Sequence, residues 1–340
     1  MMELIETRTD WEALLGQAAF HTNFHTWEWR NVLTKTFSWL TPKYMRYESR
    51  EGDSAIIPFY LFSRNGKKHM SSLPFSEYGG PVVLSKKFSG AGMMAEILEL
   101  SRKNDYSFKI NVHPFIQKRM AGEPALGPNL DLRTYILPLD KDIEGIYGKF
   151  RANNKKAIRE ARKSVKVVDG KKEDLRALYS LYVDTMKRNL TVCVPFSFLK
   201  NMHEELSPKN MITVRLAMHE NRVVAGIINL EYGEVSHYTM GGGDKKYFGL
   251  YPNNLLHWTA VESAAGNGKK FYDFGGTRKG STLEVFKGGW GCETFDIPRY
   301  FFGLDDDAPA KGSLIRNAWG RLPAPIIELL SPSIARKVIT

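Results

Sequence analysis

Cysteine is nearly absent from this 340-residue chain, with Cys193 and Cys292 the only two. So sparse a count excludes a disulfide framework and fits a reducing compartment, which predicts a cytoplasmic protein. No Cys/His cluster has zinc spacing, so no metal site is expected. No apolar run approaches the roughly 18–20 residues needed to span a bilayer. The opening MMELIETRTDWEALL is acidic and lacks the apolar centre of a signal peptide, so no export is expected. A GKS or GKT run is missing too, which removes the Walker-type nucleotide loop. What remains is a globular composition, 43% hydrophobic and 25% charged, in a chain long enough for two domains with separate cores.

Charge is unbalanced, 48 Lys and Arg against 37 Asp and Glu, a net +11. An excess of this size points to anionic partners, with nucleic acid, anionic lipid and phosphorylated precursors all admissible. Between Lys149 and Lys166 there are eight basic residues and one acidic residue, Glu160. At 100° per residue, Phe150, Ala157, Ala161 and Val165 share one face of a helix, and Lys155, Arg159, Arg162 and Lys166 the opposite one. That stripe suits either a solvated surface helix or a landing face for phosphates, as in tRNA or a lipid diphosphate head.

Periodicity predicts helices at 27–40, 93–103, 174–187, 196–205 and 253–265. Strands are predicted at 44–47, 54–63, 107–112, 213–219, 223–232, 234–240 and 270–274, with a broken strand at 70–84. Each half contains strands, a tyrosine with nearby glycines (Tyr78 with Gly79-Gly80, Tyr238 with Gly241-Gly242), then a helix and a strand. The halves form a loose internal duplication of α/β (α+β) type with mixed sheets flanked by helices. The expected division is 1–140, 141–304 and a linker and tail at 305–340, with AGEPALGPN (121–129) as a connecting loop. The tail carries Trp319, Leu322, Ile326, Ile327, Leu329 and Leu330 among Arg316, Arg321, Arg336 and Lys337. Its two Pro-separated pieces suit helices that either dock on the protein or lie on an anionic membrane surface.

The stretch most suggestive of a site is GKKFYDFGGTRKGSTLEVFKGGWG (268–291). Phe271, Tyr272 and Phe274 around Asp273 read as a buried strand that delivers Asp273 to the Gly275-Gly276 turn. After a loop with Arg278 and Lys279, Phe286 and Lys287 return before a glycine-rich run. Asp273 is either a general base or the former of that turn. His237 is a candidate titrating group or a packed strand histidine.

Several segments, in this order and spacing, resemble the FemAB-related peptidyltransferases. They are the basic helix FRANNKKAIREARKSVKV (150–167), the segment with Tyr182, Thr185 and Arg188, SHYTMGGG (236–243), a helix opening on Asn253-Asn254, and the DFGG and FK pair. LPFSEYGGPVV (73–83) resembles the first half of FemAB-like proteins found beside exopolysaccharide export systems. The resemblance spans roughly residues 20 to 303. It implies two tandem GNAT-like acyltransferase domains, the second carrying most of the site, and transfer of an amino acid from its tRNA ester to an amine on a cell-envelope precursor. An ester is already activated, so such a site has to position the amine and stabilise an oxyanion.

By this resemblance Lys287 is the oxyanion-stabilising cation, Phe286 walls off water, and Arg188 grips acceptor phosphate with its planar fork. Tyr238 matches a family tyrosine, whereas Met240 stands where a second tyrosine is common, a departure that bears on the acceptor's identity. Tyr78 with Gly79 and Gly80 is an expected acceptor wall, Arg278 a further substrate contact, and the basic stripe the donor contact. No tightly bound cofactor is expected. The ordinary GNAT loop for the coenzyme A pyrophosphate should fall within GGGDKKYFGLYPNN (241–254), which lacks the Arg/Gln-x-x-Gly-x-Gly/Ala spacing. Aminoacyl-tRNA is therefore the expected donor. Acyl-coenzyme A, with a surface sugar as acceptor, and a non-catalytic binding role are the alternatives.

Overall fold

The computed structural model describes residues 1–120, 127–304 and 322–338. Most of the expected connecting loop, and the acidic linker with the start of the tail, lie outside the described residues. Two compact units account for the chain. The first takes Met1–Leu132, Asp296–Ala310 and Arg336–Thr340, and the second Arg133–Phe295 and Lys311–Ala335.

In the first unit the strands are β1 (Met2–Ile5), β2 (Thr41–Glu48), β3 (Ser54–Arg64), β4 (Lys67–Ser72), β5 (Val82–Val83), β6 (Tyr106–Asn111) and β15 (Arg299–Phe302). The helices are α1 (Arg8–Leu15), α2 (Trp27–Thr36) and α3 (Gly90–Asn104). The near-continuous apolar run of β3 makes it a central strand covered on both faces. Thr26 caps α2 by accepting from the Trp29 amide at 3.3 Å, which starts the helix at Trp27. Each fully buried aromatic side chain of this core, such as Trp29, Phe59 and Phe108, contributes about 1.5–3 kcal/mol on transfer from water.

The second unit contains β7 (Leu132–Pro138), β8 (Lys166–Asp169), β9 (Ile212–His219), β10 (Arg222–Tyr232), β11 (Val235–Gly243), β12 (Phe271–Asp273), β13 (Thr277–Arg278) and β14 (Glu293–Asp296). Its helices are α4 (Ile143–Gly148), α5 (Ala152–Ala161), α6 (Leu175–Arg188), α7 (Phe196–Leu206), α8 (Pro252–Gly266) and α9 (Thr282–Lys287), followed near the chain end by α10 (Ala324–Val338).

The two sheets repeat one plan. The first runs β1-β2-β3-β4-β6-β15 with β5 on β3, and the second β8-β9-β10-β11-β12-β7 with β13 and β14 on β7. In each, one parallel pair is joined through a long helix: β4 and β6 through α3, β11 and β12 through α8. The duplication expected from the Tyr-and-glycine segments is thus present in the topology. An antiparallel strand completes each parallel pair, β15 on β6 and β7 on β12, and both come from outside the contiguous half. The expected 140/141 division does not describe this exchange. Leu132–Pro138 belongs to the second sheet and Arg299–Phe302 to the first, because a buried β6 or β12 must pair its second edge.

Two other local expectations change. The helix expected over 150–167 ends at Ala161, and Lys166 begins β8, paired with β9 from Lys166↔Met218. The first piece of the expected tail lies outside the described residues; the second contains one helix over Ala324–Val338, with Ile327, Ser331 and Ala335 buried at i, i+4, i+8 and Glu328 paired with Arg176. That face docks on the protein. Among the described residues no helix is long and apolar enough to cross a membrane.

Candidate active site

Strand β12 lies between β11, parallel with His237↔Asp273, and β7, antiparallel with Asp273↔Ile136. This central place buries Tyr272 and Phe274 completely and leaves Asp273 only 1% exposed. The Asp273 carboxylate accepts from the Thr134 hydroxyl and from the Gly275 amide at 2.8 Å, and its other oxygen lies 3.1 Å from His237 Nδ1. Burial by itself would raise its pKa, but the His237 ring and these hydrogen bonds outweigh it and hold the carboxyl well below the usual carboxylate range. A carboxylate so acidic, with both oxygens engaged, is a poor proton acceptor. It is well placed to fix the turn, where Gly275 takes a φ of 73° that a side chain would disfavour.

The turn in turn holds Lys287. Its Nζ donates to the carbonyls of Gly275 at 2.8 Å and Gly276 at 3.1 Å, and the residue is 5% exposed. The loop expected before it is instead the short helix α9, with Lys287 in the last turn, where a cation also meets the negative helix end. Glu284 secures that helix. It accepts from Arg133 and the Tyr135 hydroxyl, both at 2.9 Å, and from the Gly280 amide at 2.7 Å. Burial and the neighbouring Glu284 push the Tyr135 phenol up to about 12. Neither Glu284 nor Thr134 stood out in the sequence, because their partners lie 139 to 151 residues away along the chain.

His257, also missed, completes the cluster from α8. Its Nδ1 is 2.9 Å from the Tyr272 hydroxyl. Its ring packs among Tyr238, Phe274, Phe286 and Trp290 at centroid distances of 4.8, 5.1, 5.6 and 5.9 Å. Burial first, and the charge of Lys287 second, lower its pKa to about 3, so the ring is neutral beside the ammonium. A histidine inside the apolar LLHWTAV was the available signal. In the unfolded chain this imidazole takes a proton near 6.5, and in the folded chain only near 3. Its contribution to stability is therefore complete above pH 6.5 and is lost as pH falls, at up to ~1.4 kcal/mol per pH unit across that window. Urea titrations of wild type and His257→Gln at pH 7 and pH 5 should show a smaller loss in the variant. Equal losses would mean that His257 is not buried neutral.

Arg188, exposed at the end of α6, donates through one Nη2 to Thr185 Oγ1 and to the Gly243 carbonyl, both at 2.8 Å, with its guanidinium 5.3 Å from the Phe248 ring centroid. Its remaining N–H groups have no acceptor among the described residues. The glycines 241–243 belong to β11 and are explained by packing. A Cβ on Gly242 would lie 2.4 Å from the Leu181 carbonyl, where the strand meets α6. In the segment that follows, the Asp244 carboxylate accepts from the Lys246 amide at 3.0 Å before α8 begins at Pro252. A pyrophosphate at this loop would meet that carboxylate.

The structure thus brings together Lys287, Phe286, Asp273 and, through His257, Tyr238. The basic residues make other contacts. Lys155 Nζ donates to the Gly148 carbonyl at 2.6 Å, Arg162 pairs with Glu262 at 3.1 Å, and exposed Arg159 and Lys166 lie on α5 and β8 respectively. The N-cap of α5 does touch the glycine-rich run after Phe286-Lys287, the Arg151 amide donating to the Gly289 carbonyl at 2.9 Å. Arg278 is exposed on β13. Tyr78, expected as an acceptor wall, is 1% exposed under Phe24 and His113 in the first unit, and so forms core rather than wall. No group of His, Cys, Asp or Glu fit to hold a metal ion occurs among the described residues.

Residues 148–287 match the family model described as an acetyltransferase (GNAT) domain. No curated protein matches the chain. Among solved structures, FemX is similar at a TM-score of 0.66 and 14% identity, covering 93% of this chain and 100% of that one. L-PGS from Bacillus licheniformis gives 0.54 and 12%, covering 92% and 97%. A tandem GNAT protein from the clavulanic acid biosynthesis pathway gives 0.53 and 12%, covering 90% and 100%. At such identities the likeness establishes architecture, that of two tandem GNAT folds.

Proposed function

We propose that this tandem GNAT-fold transferase, FemX-like in architecture, moves an aminoacyl group from an aminoacyl-tRNA ester to an amine of a phosphorylated cell-envelope precursor. The observation that carries the reading is the buried Lys287 ammonium, held on two turn carbonyls beside a neutral His257. A cation fixed in a desolvated site stabilises a tetrahedral oxyanion without reorganising first. Asp273 builds the turn that seats it, Phe286 and the His257 ring stack exclude water, and Tyr238 borders the acceptor. Arg188 takes acceptor phosphate with its uncommitted N–H groups. The acceptor amine attacks the ester carbonyl, the oxyanion forms against Lys287, and collapse releases the tRNA 3′ or 2′ hydroxyl as the new amide forms. The exposed cations of α5 and β8 suit the donor's phosphates, and the contact of α5 with Gly289 supports placing the donor there. Such a protein works in the cytoplasm, at the inner face of the membrane where lipid-borne precursors lie.

A second reading, transfer from acyl-coenzyme A to a surface sugar, is favoured by the match to an acetyltransferase (GNAT) domain. It is opposed by Asp244 at the loop where the pyrophosphate would bind. Gently purified protein should retain tRNA at low salt and lose it steeply at high salt, because phosphate contacts release counterions. Retained coenzyme A, or a thermal shift with it and none with tRNA, would replace the first reading with the second.

A further inference from the structure

We propose that the first unit carries a binding site for a small molecule bearing a terminal phosphate, in the recess formed by the end of β1, the start of α2 and the start of β2. The recess has a volume of about 200 Å³, with Ile5, Trp27, Arg30, Lys43 and Tyr44 in its wall. That is far more than the ~10–15 Å³ that admits one water. The pairing Ile5↔Tyr44 brings its two strand walls together.

Two cations share this space. Arg30 and Lys43 are both half-buried, and among the described residues neither forms an ion pair with a carboxylate. Arg30 is not loose. Its guanidinium lies 4.4 Å from the Trp27 ring centroid, Trp27 meets Tyr44 edge-on at 5.8 Å, and the Tyr44 hydroxyl is bonded to that of Tyr60 at 3.2 Å. Tyr44 and Tyr60 are 3% and 0% exposed, so the guanidinium rests on a rigid core. A fixed planar fork beside an ammonium suits the oxygens of a phosphate dianion, and partial burial strengthens the attraction over that in water. The exposed Glu6 also borders the recess. Its charge opposes an extended polyanion along the rim and leaves room for a compact terminal group. The occupant is accordingly a phosphomonoester, either free in solution or carried as a lipid headgroup.

The test is calorimetric titration of the full chain with glycerol 3-phosphate at constant ionic strength, alongside sedimentation with phosphatidylcholine vesicles containing phosphatidic acid. Saturable 1:1 binding of glycerol 3-phosphate is expected, weakened at least 10-fold by Arg30→Gln or Lys43→Met and lost in the double variant. Glu6→Gln should bind more tightly than wild type, a gain that misfolding does not mimic. Binding to the vesicles alone, lost in the double variant, identifies the phosphate as that of a headgroup. Binding of neither probe, or equal binding by wild type and the double variant, overturns the proposal.

Discussion

Replacing Lys287 with methionine is expected to lower the rate of the proposed aminoacyl transfer by ~10²–10³-fold, the loss typical of removing one preorganised oxyanion donor. Methionine preserves most of the stem's volume and removes the charge. Substrate affinity should change little, because the developing oxyanion exists in the transition state and not in the bound ester. The loss should therefore appear in kcat rather than KM. Part of any effect will be structural, since the Gly275 and Gly276 carbonyls lose their donor, at a cost of ~1–3 kcal/mol for buried polar groups. Thermal unfolding of the variant measures that part. Arginine at this position keeps a positive charge but not the compact geometry that reaches both carbonyls, and should restore activity only partly. Single-turnover transfer from aminoacyl-tRNA is the decisive measurement, and a wild-type rate in Lys287→Met would remove the residue from the mechanism.

Asp273→Ala should be among the most destabilising single changes in the second unit, by ~3–5 kcal/mol, the range for breaking a buried pair from one side. It strips partners from Thr134 on β7, His237 on β11 and the Gly275 amide at once, so three adjoining segments lose their common acceptor. Asp273→Asn should cost clearly less, because its amide oxygen still accepts from Thr134 and Gly275 and only the carboxylate beside His237 is lost. The native carboxyl is held below the usual range, so its contribution is fully present above the unfolded value near 3.8. It is lost as pH falls from there toward the lower folded-state value. Guanidinium titrations at pH 7 and pH 3 on wild type and both variants should show the largest acid-induced loss in wild type. If Asp273→Ala folds with near-native stability, the carboxylate does not organise the turn.

Most helices and strands were legible because their signals are local. The 3.6-residue period of α6 and α7 and the long apolar β10 needed no distant partner to be recognised. The duplication was also visible, through paired Tyr-and-glycine strand ends. Harder were Leu132–Pro138 and Thr282–Lys287. The first is a strand only because β12 offers it an edge, and the second a helix of six residues, too short to persist without Glu284 tied to Arg133 and Tyr135. Lys166 fits the helical spacing of the basic run, but the pairing of β8 with β9 takes it into a strand.

Of the site, the residue types were in the sequence: Asp273 before paired glycines, Phe286-Lys287, Arg188 near a helix end, and a basic run ahead of them. By itself the chain determined a two-domain α/β protein and a strand delivering an acid to a glycine turn. Only the tertiary structure decided what that acid does. Its pKa and the engagement of both its oxygens depend on His237 and Thr134, which reach it through strands β11 and β7. The same holds for Lys287, whose burial is set by a turn 11 to 12 residues earlier, and for His257, whose neutrality arises from rings drawn from β11, the end of β12, α9 and the segment after it. Periodicity is a property of neighbours along the chain, whereas desolvation and charge coupling belong to neighbours in space.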